Sequence, residues 1–101
     1  MEQRLTIVGV GVEDLHLSSQ FYEEKFGWKK MKSSNDGITF FQLNGILLSL
    51  YPKDKLAEDA AVSPEGQGFK GFTLAFNTRT KEEVDTLIAE LEAKGVKIVK
   101  Q

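Results

Sequence analysis

The chain has 101 residues, no cysteine and a formal net charge of -2. The lack of cysteine excludes disulfides, thiolate nucleophiles and cysteine-ligated metals, and it suits a reducing, cytoplasmic compartment. The weakly acidic balance argues against a phosphate-binding surface for nucleic acid, and no apolar run is long enough for a membrane helix.

The first element predicted along the chain is a strand over residues 5–12, which are rich in valine and isoleucine. Strand alternation places the valines at 8, 10 and 12 on one face. The opposite face then carries Ile7, Gly9 and Gly11.

A helix follows, because Asp14 is a good N-cap residue and Gly27 a good C-terminal stop. Its predicted buried stripe has helical spacing and consists of Leu15, Ser18, Tyr22 and Phe26, with Phe21 beside it.

Three more strands are predicted at residues 28–33, 38–43 and 46–51. Turn residues separate them, and the pair Asn44-Gly45 is a strong hairpin signal. Pro52 ends the pairing because it has no backbone donor.

The second half repeats this order after a short helix at 53–61 and a linker at 62–68. Residues 69–78 alternate as a strand, with Phe72, Leu74 and Phe76 on one face. Thr80 and Glu83 match a capping box, so a helix is expected next. Its apolar stripe is Val84, Leu87, Ile88 and Leu91. Gly95 ends that helix, and residues 96–99 begin another strand.

These patterns predict one α+β domain over residues 1–101, built from a duplicated strand–helix–strand unit. Residues 1–52 form a βαβββ module, 53–68 a short helix and linker, and 69–101 an incomplete second βαβ repeat. The second copy stops two strands short at Gln101, which leaves an unpaired edge. A homodimer, with or without exchanged elements, would cover that edge; a truncated chain is the alternative.

The helix and strands also carry a family likeness. The run from Asp14 to Trp28, the strand pair at 37–52, and the later Glu83-Val84-Asp85 with Gly95 resemble the glyoxalase/bleomycin-resistance/dioxygenase (vicinal oxygen chelate, VOC) superfamily. The resemblance covers essentially the whole chain. It implies paired βαβββ modules whose curved sheet encloses a pocket.

Metal-dependent members of that family hold a divalent ion with inward-facing His, Gln or Glu side chains. The matching positions here are Ile7, Ser49 and Thr73, and the fourth would lie on a strand that this chain lacks. Isoleucine cannot ligate, and two hydroxyls alone make a poor divalent site. A slip of two residues would offer Gly9, Tyr51 or Ala75, none a strong ligand. We therefore expect no family-type metal centre and no cofactor.

No catalytic residue is identified either. The only histidine, His16, is expected on the solvent side of its helix, and the pairs Glu23-Glu24 and Glu82-Glu83 are adjacent in sequence, so they do not converge.

What remains is a pocket lining on the concave face. Small, apolar and a few polar residues are expected there: Ile7, Gly9, Gly11, Leu47, Ser49, Tyr51, Thr73, Ala75 and Asn77. Trp28, Phe40 and Phe41 are candidates for an aromatic wall, although aromatic residues in strands more often belong to the core.

The mixture suits a modest organic molecule, so the sequence favours a metal-free, small-molecule-binding member of the family. Two alternatives stay open: a lyase- or dioxygenase-like enzyme, and a structural, dimer-forming domain whose concave face is used in packing.

Overall fold

The computed structural model of the protein describes residues 1–66, 68 and 70–99. The chain divides into two compact units, Met1–Glu65 and Gly66–Gln101. The first unit carries a three-stranded sheet with two helices, and the second carries one helix.

The first unit has the predicted elements in the predicted order, apart from the strand expected at 28–33. They are β1 (Ile7–Val12), α1 (Leu15–Lys25), β2 (Thr39–Gln42), β3 (Leu47–Pro52) and α2 (Lys53–Asp59). The α+β class predicted from the sequence is confirmed.

The sheet has the strand order β1-β3-β2. Strand β1 runs parallel to β3, whereas β2 is antiparallel to it, as expected for two strands joined by the Asn44-Gly45 turn. The parallel register pairs Gly9 with Ser49, and β2 adds Phe40 on the other side of Ser49.

The core lies between the sheet and α1, on the face of the sheet opposite Ser49. Phe41, Leu48 and Leu50 are almost fully buried there. The partly buried side chains around them are Val10, Val12, Leu15, Tyr22, Trp28 and Leu43. Tyr22 stacks on Trp28 with ring centroids 5.4 Å apart. Burying each such side chain contributes roughly 1.5–3 kcal/mol, so this face holds the unit together.

Helix α1 begins and ends at the predicted residues. The Asp14 carboxylate accepts a hydrogen bond from the Leu17 amide at 3.0 Å, and Gly27 has a φ of +72°. The buried stripe differs slightly from the prediction, because Ser19 is the buried residue of the helix whereas Phe21 and Phe26 are each 37% exposed.

The predicted strand at 28–33 does not form; only Lys30 pairs with Phe41, as an isolated bridge. A turn at Ser34 explains the difference. The Phe40 amide donates to the Ser34 hydroxyl at 2.9 Å, and the Ser34 amide donates to the Met31 carbonyl at 3.0 Å. The Phe40 amide is therefore not free to extend the ladder beyond one bridge.

Helix α2 is short and ends in a Schellman motif. The Ala61 amide donates to the Glu58 carbonyl at 3.1 Å and the Val62 amide donates to the Ala57 carbonyl at 3.0 Å. Ala61 has a φ of +57°, a conformation that glycine usually supplies at this position.

The second unit contains α3 (Lys81–Ala93). As predicted, the Thr80 hydroxyl caps it by accepting from the Glu83 amide at 3.2 Å, and Gly95 follows it with a φ of +87°. The Glu83 carboxylate accepts from the Arg79 amide at 3.3 Å rather than from Thr80.

The strands predicted in this unit are not formed in its described part, residues 70–78 and 96–99. A strand is defined by its pairing, and alternation alone supplies no partner. Phe69 and Gln101, the ends of the predicted repeat, lie outside the described residues, as does Gln67 of the predicted linker.

None of the described helices combines the length and apolar composition needed to cross a membrane.

Candidate functional site

Six of the predicted pocket-lining residues share one face of the sheet, opposite the core. Ile7 and Gly9 of β1 lie beside Leu47 and Ser49 of β3, and Gly11 and Tyr51 continue the two rows. Because residues directly paired across neighbouring strands point to the same side, this grouping follows from the parallel register. We call these residues, with Phe40, the open face.

Ser49 is the central polar group of the open face. The residue is only 6% exposed. Its hydroxyl forms no hydrogen bond with another group in the described part of the chain, whereas the other two buried hydroxyls, of Ser19 and Thr39, bond each other at 2.7 Å. No fully buried side-chain oxygen or nitrogen among the described residues lacks a partner, so the Ser49 oxygen reaches the surface of the face.

Gly9 leaves space directly beside that hydroxyl. A Cβ built on Gly9 would lie 3.3 Å from Ser49 Oγ, so any side chain at position 9 would crowd the hydroxyl. The glycine thus keeps the hydroxyl accessible from the side of β1, and the two residues form a shallow notch with one hydrogen-bonding group.

Helix α2 closes one end of the open face. A Cβ on Gly11 would lie 3.1 Å from Lys53 Cα and 3.3 Å from the Leu56 side chain. Gly11 is therefore required for the close approach of α2 to β1, rather than for ligand access. The remaining open stretch runs from Gly9 to Ile7, which is 47% exposed.

The other three predicted lining residues, Thr73, Ala75 and Asn77, lie in the second unit. All three are exposed and stand outside any strand. Their role in a pocket stays a prediction.

The aromatic wall expected from the sequence is divided between the two faces of the sheet. Phe40 pairs with Ser49 and belongs to the open face. Trp28 and Phe41 pack together in the core, with ring centroids 5.9 Å apart, so they follow the core alternative and do not belong to the wall. The sequence contains a signal for the position of Phe40. A two-residue turn at Asn44-Gly45 fixes the hairpin register, and that register pairs residue 40 with residue 49.

Ile7 and Ser49, two of the residues that the sequence analysis matched to metal-ligand positions, make a poor site for a divalent ion. Ile7 presents hydrocarbon, and Ser49 offers one neutral hydroxyl beside a glycine. Divalent ions need several imidazole, carboxylate or amide ligands that converge. No group of three or more His, Cys, Asp or Glu side chains in the described residues meets that need.

Two surface depressions lie away from the open face. One, of about 310 Å³, is in the first unit and is lined by Val12, Glu13, Pro52, Lys53, Asp54, Pro64 and Glu65. The other, of about 360 Å³, is in the second unit and is lined by Phe76, Thr78, Glu82, Glu83, Thr86, Leu87 and Glu90. Neither depression includes a predicted lining residue.

Titratable groups add little to the open face. The strands β1, β2 and β3 contain no charged residue. Burial raises the pKa of the Tyr22 phenol, which lies on the core face. His16 is exposed on α1.

A family comparison agrees with this geometry. The sequence profile of the Glyoxalase/Bleomycin resistance protein/Dioxygenase superfamily matches residues 4–101. The chain belongs to this superfamily. No curated protein matches the chain.

Solved structures of glyoxalase-family proteins are similar to the chain. A glyoxalase-related enzyme from Fulvimarina pelagi is 34% identical, with a TM-score of 0.75, over 91% of this chain and 65% of that one. A glyoxalase/bleomycin resistance protein/dioxygenase from Nocardioides is 24% identical, with a TM-score of 0.81, over 99% of this chain and 67% of that one. A lactoylglutathione lyase from Agrobacterium tumefaciens is 20% identical, with a TM-score of 0.74, over 99% and 76%.

The last two likenesses show the fold alone. This glyoxalase-family chain spans less than two thirds of the Fulvimarina protein, the first of these relatives.

Proposed function

We propose that this glyoxalase-family chain binds a small organic molecule on the open face, without a metal ion. The observation that carries the proposal is Ser49: the residue is only 6% exposed, and its hydroxyl is unpaired among the described residues and reaches the surface beside Gly9. A ligand can replace the hydrogen bond that this hydroxyl makes with water, and such an exchange contributes about 0.5–1.5 kcal/mol.

The neighbouring side chains support the same function. Leu47, Phe40 and Tyr51 are half-buried around Ser49, so a bound molecule would meet largely apolar surface on several sides of the Ser49 hydroxyl. Binding sites for small molecules commonly combine an apolar lining with a few polar groups. The cysteine-free composition supports a cytoplasmic location for this activity.

The test is an amide-resonance NMR screen of chelator-treated protein against a library of small organic fragments. We expect binding fragments to shift the Gly9, Leu47 and Ser49 amides. Ser49→Ala should abolish these shifts, whereas Ser33→Ala, at an exposed serine of the same unit, should leave them unchanged. Fragments that shift only residues of the two depressions, or that bind only after a divalent ion is added, would overturn the proposal.

We also propose that two copies of the chain associate through residues 70–78. Phe72, Leu74 and Phe76 alternate along this segment and are 52%, 56% and 71% exposed. They can remove on the order of 300 Å² from water in each copy. A standard interface buries about 800 Å² per partner, so backbone pairing along the segment would have to supply the rest.

Sedimentation equilibrium over a range of concentrations tests this association. We expect a dimer that Leu74→Glu weakens at least about tenfold, because the charge would be desolvated in the interface. Leu5→Glu, at another exposed leucine, is the control and should leave the dimer intact. A wild-type monomer at every concentration would contradict the proposal.

A further inference from the structure

The chemistry of the open face restricts which molecules can bind there. The three strands contribute no charged side chain to either face of the sheet. An ion placed over Ser49 would lose hydration without gaining an opposite charge, and that loss is large. The strand composition therefore favours an uncharged ligand.

The shape of the face adds a second restriction. Gly9 has no side chain, and Ser49 Oγ stands 3.3 Å from the point where its Cβ would be. A flat group can lie against the glycine backbone there, whereas a bulky tetrahedral group would meet the hydroxyl. The same-face positions from Ile7 to Gly11 span roughly 13 Å, which accommodates one or two rings.

The hydroxyl supplies the third restriction. A serine can donate one hydrogen bond and accept others. With no competing partner in the described residues, Ser49 is free to donate to a carbonyl oxygen or accept from an amide N–H of the ligand. Phe40, on the other side of Ser49, offers an aromatic ring beside it.

Resting on the proposed function, we infer that the ligand is a neutral, planar molecule, an aromatic carbonyl compound such as an aryl amide, whose polar group pairs with the Ser49 hydroxyl and whose ring lies over Gly9. Lys53 lies beside Gly11 at the α2 end of the face and brings a positively charged residue there. An anionic ligand would therefore bind near Gly11, and a neutral one near Gly9.

Three probes of the same size and shape separate these cases: benzamide, benzoate and benzamidinium, which are neutral, anionic and cationic near neutral pH. Each is titrated into chelator-treated protein while the amide resonances of Gly9, Gly11 and Ser49 are followed. We expect benzamide to shift Gly9 and Ser49, and to bind at least about tenfold more tightly than either ion, since unpaired desolvated groups cost 1–3 kcal/mol.

Two variants check the contacts. Ser49→Ala should weaken benzamide about tenfold, and Ser33→Ala should not. Gly9→Ala should weaken it as well, because the new methyl group fills the notch, and this second variant serves if Ser49→Ala fails to fold.

The outcomes distinguish the inference from the proposal beneath it. If none of the three probes nor any library fragment shifts the open face, the proposed function fails and the inference fails with it. If benzoate or benzamidinium binds as tightly as benzamide, the ligand class is wrong while the binding site stands. If benzamide binding survives both variants, benzamide does not bind at Ser49 and Gly9, and the inference and the proposed site are both wrong.

Discussion

Ser19 Oγ lies 2.7 Å from Thr39 Oγ1, in a buried hydrogen bond that joins α1 to β2. The two residues are 5% and 3% exposed, so each hydroxyl depends on the other for its partner. The pair stands on the core face, opposite the free hydroxyl of Ser49. The hydroxyl of Thr39 is thus paired within the protein on the side that holds the fold together, whereas the hydroxyl of Ser49 reaches the surface on the side proposed to bind a ligand.

Ser19→Ala should lower the free energy of unfolding by about 1–3 kcal/mol, because the Thr39 hydroxyl is left buried without a partner. Combining it with Thr39→Val should recover much of that loss, since the orphaned hydroxyl is removed as well. Denaturant unfolding of the two single variants and the double variant measures the coupling. Ser33→Ala is the exposed control, and equal losses for it and Ser19→Ala would contradict the prediction.

Ala61→Gly should stabilise the protein by about 0.5–1 kcal/mol. Ala61 is held at a φ of +57° in the Schellman motif after α2, where a Cβ is strained. The gain is reduced by the greater freedom of glycine in the unfolded chain. Ala89→Gly, in the interior of α3, is the matched control and should destabilise by about 1 kcal/mol. If the melting temperatures of both variants shift in the same direction relative to the wild type, Ala61 is not strained.

Gly11→Ala should destabilise the first unit by about 1–3 kcal/mol, because the methyl group meets the Lys53 backbone and forces α2 away from β1. Gly9→Ala should cost less, since its nearest neighbour is a serine hydroxyl that can rotate. Hydrogen exchange within α2 distinguishes the two variants: it should accelerate for Gly11→Ala alone. Equal exchange in both variants would count against the assigned role of Gly11.

Stability should fall at alkaline pH in part through Tyr22. Burial raises the pKa of this phenol above its ordinary value of 10.0, so the folded state holds its proton more tightly than the unfolded state does. The resulting stabilisation is complete below about pH 10 and is lost as the pH rises through the folded-state pKa. Tyr22→Phe should therefore show a smaller alkaline loss of stability than the wild type. Identical profiles of unfolding free energy against pH would refute this.

Local signals in the sequence were sufficient for the helices and for the hairpin. Asp14 and Thr80 cap α1 and α3 through their own side chains, and Gly27 and Gly95 supply the left-handed residues after them. The Asn44-Gly45 turn fixes the register of β2 on β3. Each of these features depends on residues close together in the sequence, which is why pattern alone predicts them.

The predicted strands that do not form would each need a neighbouring strand to pair with, and a local sequence pattern does not specify that neighbour. At residues 28–33, the Ser34 hydroxyl takes the Phe40 amide that the ladder would have used. In the site, alternation correctly grouped Ile7, Gly9, Leu47, Ser49 and Tyr51. It could not show that the Ser49 hydroxyl stays unpaired or that Gly11 serves α2, because both depend on distances across the fold.

The most direct test of the central claim is the position of a bound ligand in metal-free protein. Intermolecular nuclear Overhauser effects between benzamide ring protons and the α-protons of Gly9, recorded in the presence of a chelator, measure it. We expect such effects for Gly9, with no change after nickel, zinc or manganese is added. Effects that appear only with a metal ion, or that map to Val12 and Pro64 in the depression of the first unit instead, would contradict metal-free binding on the open face.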